Sequence, residues 1–194
     1  MPSPKLFSKQ IGEDPSFLLG KSFLLEVDPS SPYEKSVSDF ADELSKRGCT
    51  VFVFTHKSSP TYKLLSNDPA LKFFISTTAV SYPKKTDQQN EVLVPQNDSA
   101  ICLDMISKTI DTAGGNCVVF VFDSVSDMLV TSGFETTYKF LKSANEVLAD
   151  VNVTSLFLAT RGIHDSKVIA TIRSLFPNHL AGGPDGSVKL TRKS

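Results

Sequence analysis

The stretch Pro29-Ser30-Ser31-Pro32-Tyr33-Glu34-Lys35-Ser36 ends in a lysine followed by a hydroxyl residue. A loop of the form G-x-x-x-x-G-K-[ST] with that ending cradles phosphates. Its glycines turn consecutive N–H groups onto the ligand, its lysine adds a point charge, and its hydroxyl holds magnesium. Here Pro29 and Glu34 stand at the two glycine positions. Pro29 and Pro32 remove two N–H donors, and Glu34 brings a carboxylate to where phosphates would sit. The local alternative is an ordinary helix start in which Ser30 or Ser31 caps, Pro32 takes the first turn and Lys35 is solvated. A second Gly-Lys-Ser, at Gly20-Lys21-Ser22, precedes an apolar run instead of following one and reads as a turn into a strand.

The other candidate is Asp123, which closes the apolar run in "CVVFVFDSVSDML". In nucleoside triphosphatases an aspartate at the end of such a strand orients magnesium; its local alternative is a helix or turn cap. Asp127 falls on the turn that follows. His56, His164 and His179 lack the close spacing of a metal cluster, and Ser124 lies outside a G-x-S-x-G elbow. Lys35, Ser36 and Asp123 are therefore the candidate ligand-binding residues, with ATP and magnesium as the ligand they would take, and no catalytic residue or metal site is expected.

These residues need a scaffold. The runs at 22–27, 50–55, 71–76, 117–122 and 153–160 are continuously apolar, the pattern of strands covered on both faces. Between them lie stretches with helical spacing. In "EKSVSDFADELSKRG" the stripe is Val37, Phe40, Ala41 and Leu44, stopped by Gly48. A second helix is expected over 97–115, capped by Asp98 or Ser99, a third over 134–150, and a fourth over 165–176, opened by Asp165 or Ser166 and stopped at Pro177. Two short extended runs around "GGPDG" near the end signal a hairpin. Residues 80–96, polar with two prolines, read as a long loop, and 1–16 as an N-terminal extension. The alternation predicts one three-layer α/β domain over 1–194, with right-handed crossovers and a mainly parallel sheet. Ligands of such sheets bind beyond the carboxyl ends of the strands, where both candidate segments fall.

Composition narrows the function classes. With 20 basic and 21 acidic residues, the 194-residue chain carries no large positive field to draw in nucleic acid or anionic lipid. Its apolar runs fall short of the roughly 20 residues that span a bilayer, and its first residues lack a secretory apolar segment, so a soluble cytoplasmic protein is expected. The three cysteines, Cys49, Cys102 and Cys117, are odd in number and sit in apolar contexts, and are read as buried reduced thiols. Lys84-Lys85 and Arg192-Lys193 read as solvated.

The order and spacing of "GKSFLLEVDPSSPYEKSVSDFADELSKRGCTVFVFT", "CVVFVFDSVSDMLVTSGFETTYKFLKSANEVL" and "VTSLFLATRG" resemble the RecA/KaiC-like ATPase core, in particular small archaeal members with a degenerate Walker A motif. The resemblance spans roughly residues 17–192. It implies a RecA-like, P-loop NTPase-type fold, Lys35 and Ser36 at the Walker A lysine and serine positions, and Asp123 at the Walker B aspartate. Both loop glycines are absent. Thr55-His56 stands where active members carry acidic residues that activate water. The resemblance thus implies a catalytically degenerate protein without a bound cofactor, acting as a regulatory, signalling or assembly subunit through a protein partner or homo-oligomer. RecA-like Elongator ring subunits, which lack ATPase motifs, use the fold in this way. The enzyme alternative is an unorthodox ATP-binding protein or ATPase using Lys35, Ser36 and Asp123.

Overall fold

A computed structural model describes residues 6–96 and 98–192. Nine strands form one sheet: β1 (Ser22–Val27), β2 (Thr50–Thr55), β3 (Leu71–Thr77), β4 (Lys84–Lys85), β5 (Glu91–Pro95), β6 (Val118–Phe122), β7 (Val153–Thr160), β8 (Asn178–Gly182) and β9 (Val188–Arg192). Their spatial order is β4-β5-β3-β2-β6-β7-β1-β8-β9. The seven inner strands are parallel, and the edge strands β4 and β9 run antiparallel to their neighbours. The five expected strands and the C-terminal hairpin are all present.

Successive side chains on each inner strand enter two different cores, which is why these runs are apolar without alternation. On one face Phe23, Leu25, Val51, Val53, Val119 and Val121 pack beneath α1 (Phe7–Gln10), the 3-10 turn Pro15–Leu18, α2 (Tyr33–Ser45) and α3 (Pro60–Leu65). On the other, Leu24, Phe54, Phe74, Phe120, Phe122 and Phe157 pack beneath α4 (Ser99–Ala113), α5 (Val125–Val147) and α6 (Ser166–Arg173). The second core is aromatic: Phe122 stacks on Phe54 and Phe157 at centroid separations of 4.8 and 4.2 Å.

Several local expectations change. Residues 80–96 are not a structureless loop, because β4 and β5 lie within them and Glu91 is buried, bonded by the Tyr62 hydroxyl and paired with Lys57 at 3.4 Å. Neither Ser30 nor Ser31 caps α2. Pro32 is itself the N-cap residue, without a side-chain cap, while Ser31 Oγ donates to the Asp28 carbonyl. The helix expected from Phe134 begins at Val125 and is interrupted at Gly133, whose φ of 75° breaks the helical path. The extension before β1 folds onto α2: Phe7 is buried, and Glu43 accepts from Ser8 N and Ser8 Oγ at 2.9 and 2.7 Å. Of the basic tail pair, Arg192 closes β9 and Lys193 lies outside the described residues.

The cysteine expectation is overturned. Cys49 and Cys117 form a disulfide, and Cys102 is the free thiol. Each bonded cysteine precedes a strand by one residue, and Thr50 lies opposite Val118 in the β2–β6 ladder, so the pairing follows from strand order. A closed loop of this separation stabilises a fold by roughly 4 kcal/mol on the chain-entropy account.

Candidate functional site

The parallel sheet brings the carboxyl ends of β1, β2 and β6 to one edge. Asp123 directly follows β6, and the segment Asp28–Ser36 follows β1, so both sequence candidates lie on that edge. Beyond this shared edge their surroundings differ.

Lys35 is exposed on the first turn of α2. Ser36 is buried, and its hydroxyl donates to the Gly186 carbonyl at 3.0 Å, 150 residues away in sequence. Gly186 sits in the β8–β9 turn at φ 79°, where a Cβ would stand only 3.1 Å from Pro32 Cγ. Glycine meets both needs, the left-handed backbone and the close approach. The hairpin turn thus rests on the start of α2, against the loop the lysine and serine belong to.

Asp123 is buried, with a side chain reached by Ser59 Oγ at 2.5 Å and Thr55 Oγ1 at 3.2 Å. Burial raises its carboxyl above the usual carboxylate range. The hydroxyls of Ser59, Thr61 and Thr55 oppose the shift, and the Asp127 charge adds to it. Ser59 reaches Asp123 because it caps α3, accepting from Thr61 N with Pro60 at the first helical position. Tyr33, at the start of α2, joins the same cluster: burial, then the Asp123 charge, pushes its phenol well above its ordinary value, moderated by Ser59 and Thr61. Ser124, not Asp123, caps α5, accepting from Asp127 N at 3.2 Å. The Asp123–Ser124 peptide is cis.

No hydrogen bond links Lys35, Ser36 and Asp123 to one another among the described residues; Tyr33 is the element of the first segment that senses Asp123. Asp123 instead lines a cavity of about 380 Å³ on the opposite face of the sheet from α2, between the ends of β2, β3, β5 and β6 and the first turns of α4 and α5. Phe54, Met128 and Phe140 supply its apolar wall, and hydroxyls flanking the Gly133 break line it further out. At its mouth His56 Nε2 meets Asp127 Oδ2 at 3.2 Å, and His56 Nδ1 meets Ser58 Oγ at 2.7 Å. Sequence reasoning missed this cavity, because its walls come from six elements with no common spacing. The Ser59-Pro60 helix start was the one local signal for the group that holds Asp123.

Among the described residues no group of three or more His, Cys, Asp and Glu is placed to hold a metal ion, and no helix is long and apolar enough to cross a membrane.

Solved structures share this architecture. PH0250 of Pyrococcus horikoshii OT3 superposes with a TM-score of 0.70 at 10% identity, covering 97% of this chain and 93% of that one. The KaiC-like protein PH0186 of the same archaeon gives 0.61 at 11% identity, covering 90% and 80%. An ATPase of the type III secretion system of pathogenic bacteria gives 0.52 at 12% identity, covering 87% of this chain and 54% of that one. The fold is RecA/KaiC-like. No protein-family model and no curated protein matches the sequence. The likeness is one of strand order and layering; the sequence alternation implied the three-layer α/β architecture, and the motif resemblance implied its RecA/KaiC-like kind.

Proposed function

We propose that this protein is a RecA/KaiC-like protein that does not turn over ATP and acts through protein contacts, as a regulatory, signalling or assembly subunit. The observation that carries this reading is the Ser36 hydroxyl, bonded to the Gly186 carbonyl beneath the hairpin turn. A magnesium–nucleotide site at Lys35, Ser36 and Asp123 would need that hydroxyl on the metal. It would also need loop N–H groups that Pro29 and Pro32 lack. The residues present do not fit the group. Each 1.4 kcal/mol of lost transition-state stabilisation slows turnover about tenfold, so these defects together leave little catalysis.

Support for the contact role comes from α5. Val130, 74% exposed, and Phe134, 40% exposed, lie on either side of the Gly133 break, and the Phe134 ring lies 5.8 Å from that of Tyr138. Exposed apolar side chains, one of them beside a second aromatic ring, suit protein contact better than solvent.

The test is hydrolysis and equilibrium binding of magnesium–ATP by the purified protein. The expected result is no turnover above background, with Lys35→Ala indistinguishable from the parent. Magnesium-dependent hydrolysis that vanishes in Lys35→Ala and Asp123→Ala would establish the competing ATPase reading.

A further inference from the structure

We propose that the cavity between the first turns of α4 and α5 binds an uncharged small molecule with an apolar ring body. Its volume, about 380 Å³, lies within the roughly 300–1,000 Å³ of small-molecule sites. Neither Lys35 nor Ser36 lines it, so the site is separate from the segment after β1.

The wall selects an apolar body. Phe54, Val94, Met128 and Phe140 line the cavity, and the greater part of its surface is apolar. Core packing fixes the rings in place. Phe54 meets Phe74 and Phe122 at centroid separations of 4.6 and 4.8 Å, and Phe140 meets Phe122 edge-on at 6.2 Å. The wall is therefore formed before any ligand arrives, and covering it removes apolar surface from water with little ordering of the protein. Two aromatic rings and a thioether favour a flat ring over a flexible chain.

The polar lining selects against charge. Among the described residues no lysine or arginine lines the cavity, and its carboxylates are engaged within the protein. Asp98 caps α4, accepting from Ile101 N at 3.0 Å, Asp127 faces His56 at 3.2 Å, and Asp123 is held by Ser59 and Thr55. An anion would come near three aspartates with His56 as the sole basic neighbour, and that ring already faces Asp127. An ammonium would have to compete for carboxylates that already have partners. A charge brought against an apolar wall without a partner of its own is costly. The groups left for a ligand are neutral ones: the hydroxyls of Ser76, Ser99 and Thr136 line the cavity and make no hydrogen bond among the described residues.

Calorimetric titration of the full chain with 2-naphthalenemethanol, 2-naphthalenemethylamine and 2-naphthoate tests this, one ring body carrying in turn a neutral, a cationic and an anionic group. The alcohol is expected to bind at least about tenfold more tightly than either ion. Met128→Glu, which sets a charge on the apolar wall, and Thr136→Trp, which adds bulk from an exposed position on it, should each weaken the alcohol by at least about tenfold. Thr136→Trp should leave the melting temperature unchanged; should Met128→Glu melt below the parent, Thr136→Trp alone decides. Lys35→Ala should change nothing. No binding of the alcohol, a smaller preference for it over either ion, or a smaller loss of alcohol affinity in the deciding variants would each overturn the proposal. Because ATP turnover is measured separately, either proposal can fail while the other stands.

Discussion

The carboxyl ends of β1 and β6 belong to the same edge of the same sheet, yet the chain treats them in opposite ways. After β1 it closes on itself: the hairpin turn takes the Ser36 hydroxyl, and Pro32 packs against Gly186. After β6 it leaves space, and the buried Asp123 is among the residues that border a cavity. A polar group satisfied by backbone from elsewhere in the chain is structural. The Asp123 carboxyl is held by hydroxyls from the end of β2 and the start of α3, beside a cavity and not beneath a turn. The Lys35–Ser36 segment and the cavity are therefore different places in this molecule.

Substitutions can separate the two regions. Phe122→Ala, one residue before Asp123, removes the ring stacked on Phe54 and Phe157 and should cost about 3–5 kcal/mol in urea denaturation. A loss below about 1 kcal/mol would mean the Asp123 end of the sheet is not anchored by that stack.

The next effect is one of pH. The folded-state carboxyl of Asp123 lies above its ordinary value of 3.8, so its contribution to stability is fully present below 3.8 and is lost as pH rises through the folded value. The stability difference between the parent and Asp123→Asn should therefore fall as pH rises through that window, since the neutral amide does not titrate. Denaturation of both proteins from about pH 3 to pH 8 measures it. Taking the difference cancels the opposite trend from Asp28 and Asp185, whose carboxyls are lowered by hydrogen bonds from Ser30 and Ser187. A flat difference would show that Asp123 is not desolvated.

The smallest effects belong to the closed region. Ser36→Ala should cost about 1 kcal/mol, the value of one hydrogen bond. Lys35→Ala, at an exposed position, should stay within about 0.5 kcal/mol. Thermal denaturation resolves the two, and a reversed order would show Lys35 to be the structural residue of the pair.

Much of the fold could be read from the sequence because two-sided burial leaves a one-dimensional trace. The runs at β1, β2, β3, β6 and β7 are apolar at consecutive positions, and Asp98, Asp165, Gly48 and Gly114 mark helix ends by local chemistry. Strand β5 escaped because Pro95 ends it and Glu91 opens it. A glutamate reads as exposed until Tyr62 and Lys57 are known to cover it. The disulfide escaped because its two cysteines meet only through the β2–β6 pairing. Within the candidate site Asp123 could be found, since it terminates an apolar run. The partners of Ser36 and the cavity walls could not, because they come from segments distant in sequence.

The two rims of the sheet bear on how copies of this chain could meet. Strand β4 consists of Lys84 and Lys85, both exposed, and β9 carries exposed Lys189 and Arg192. An added strand would have to lay its backbone along a row of cations, and a copy approaching through the same rim would bring its own row. Lysine-rich rims of this kind resist strand-to-strand growth. Self-assembly by sheet extension is accordingly disfavoured at both ends, which leaves the helical layers and the loop edges as the surfaces through which this protein can join a larger structure.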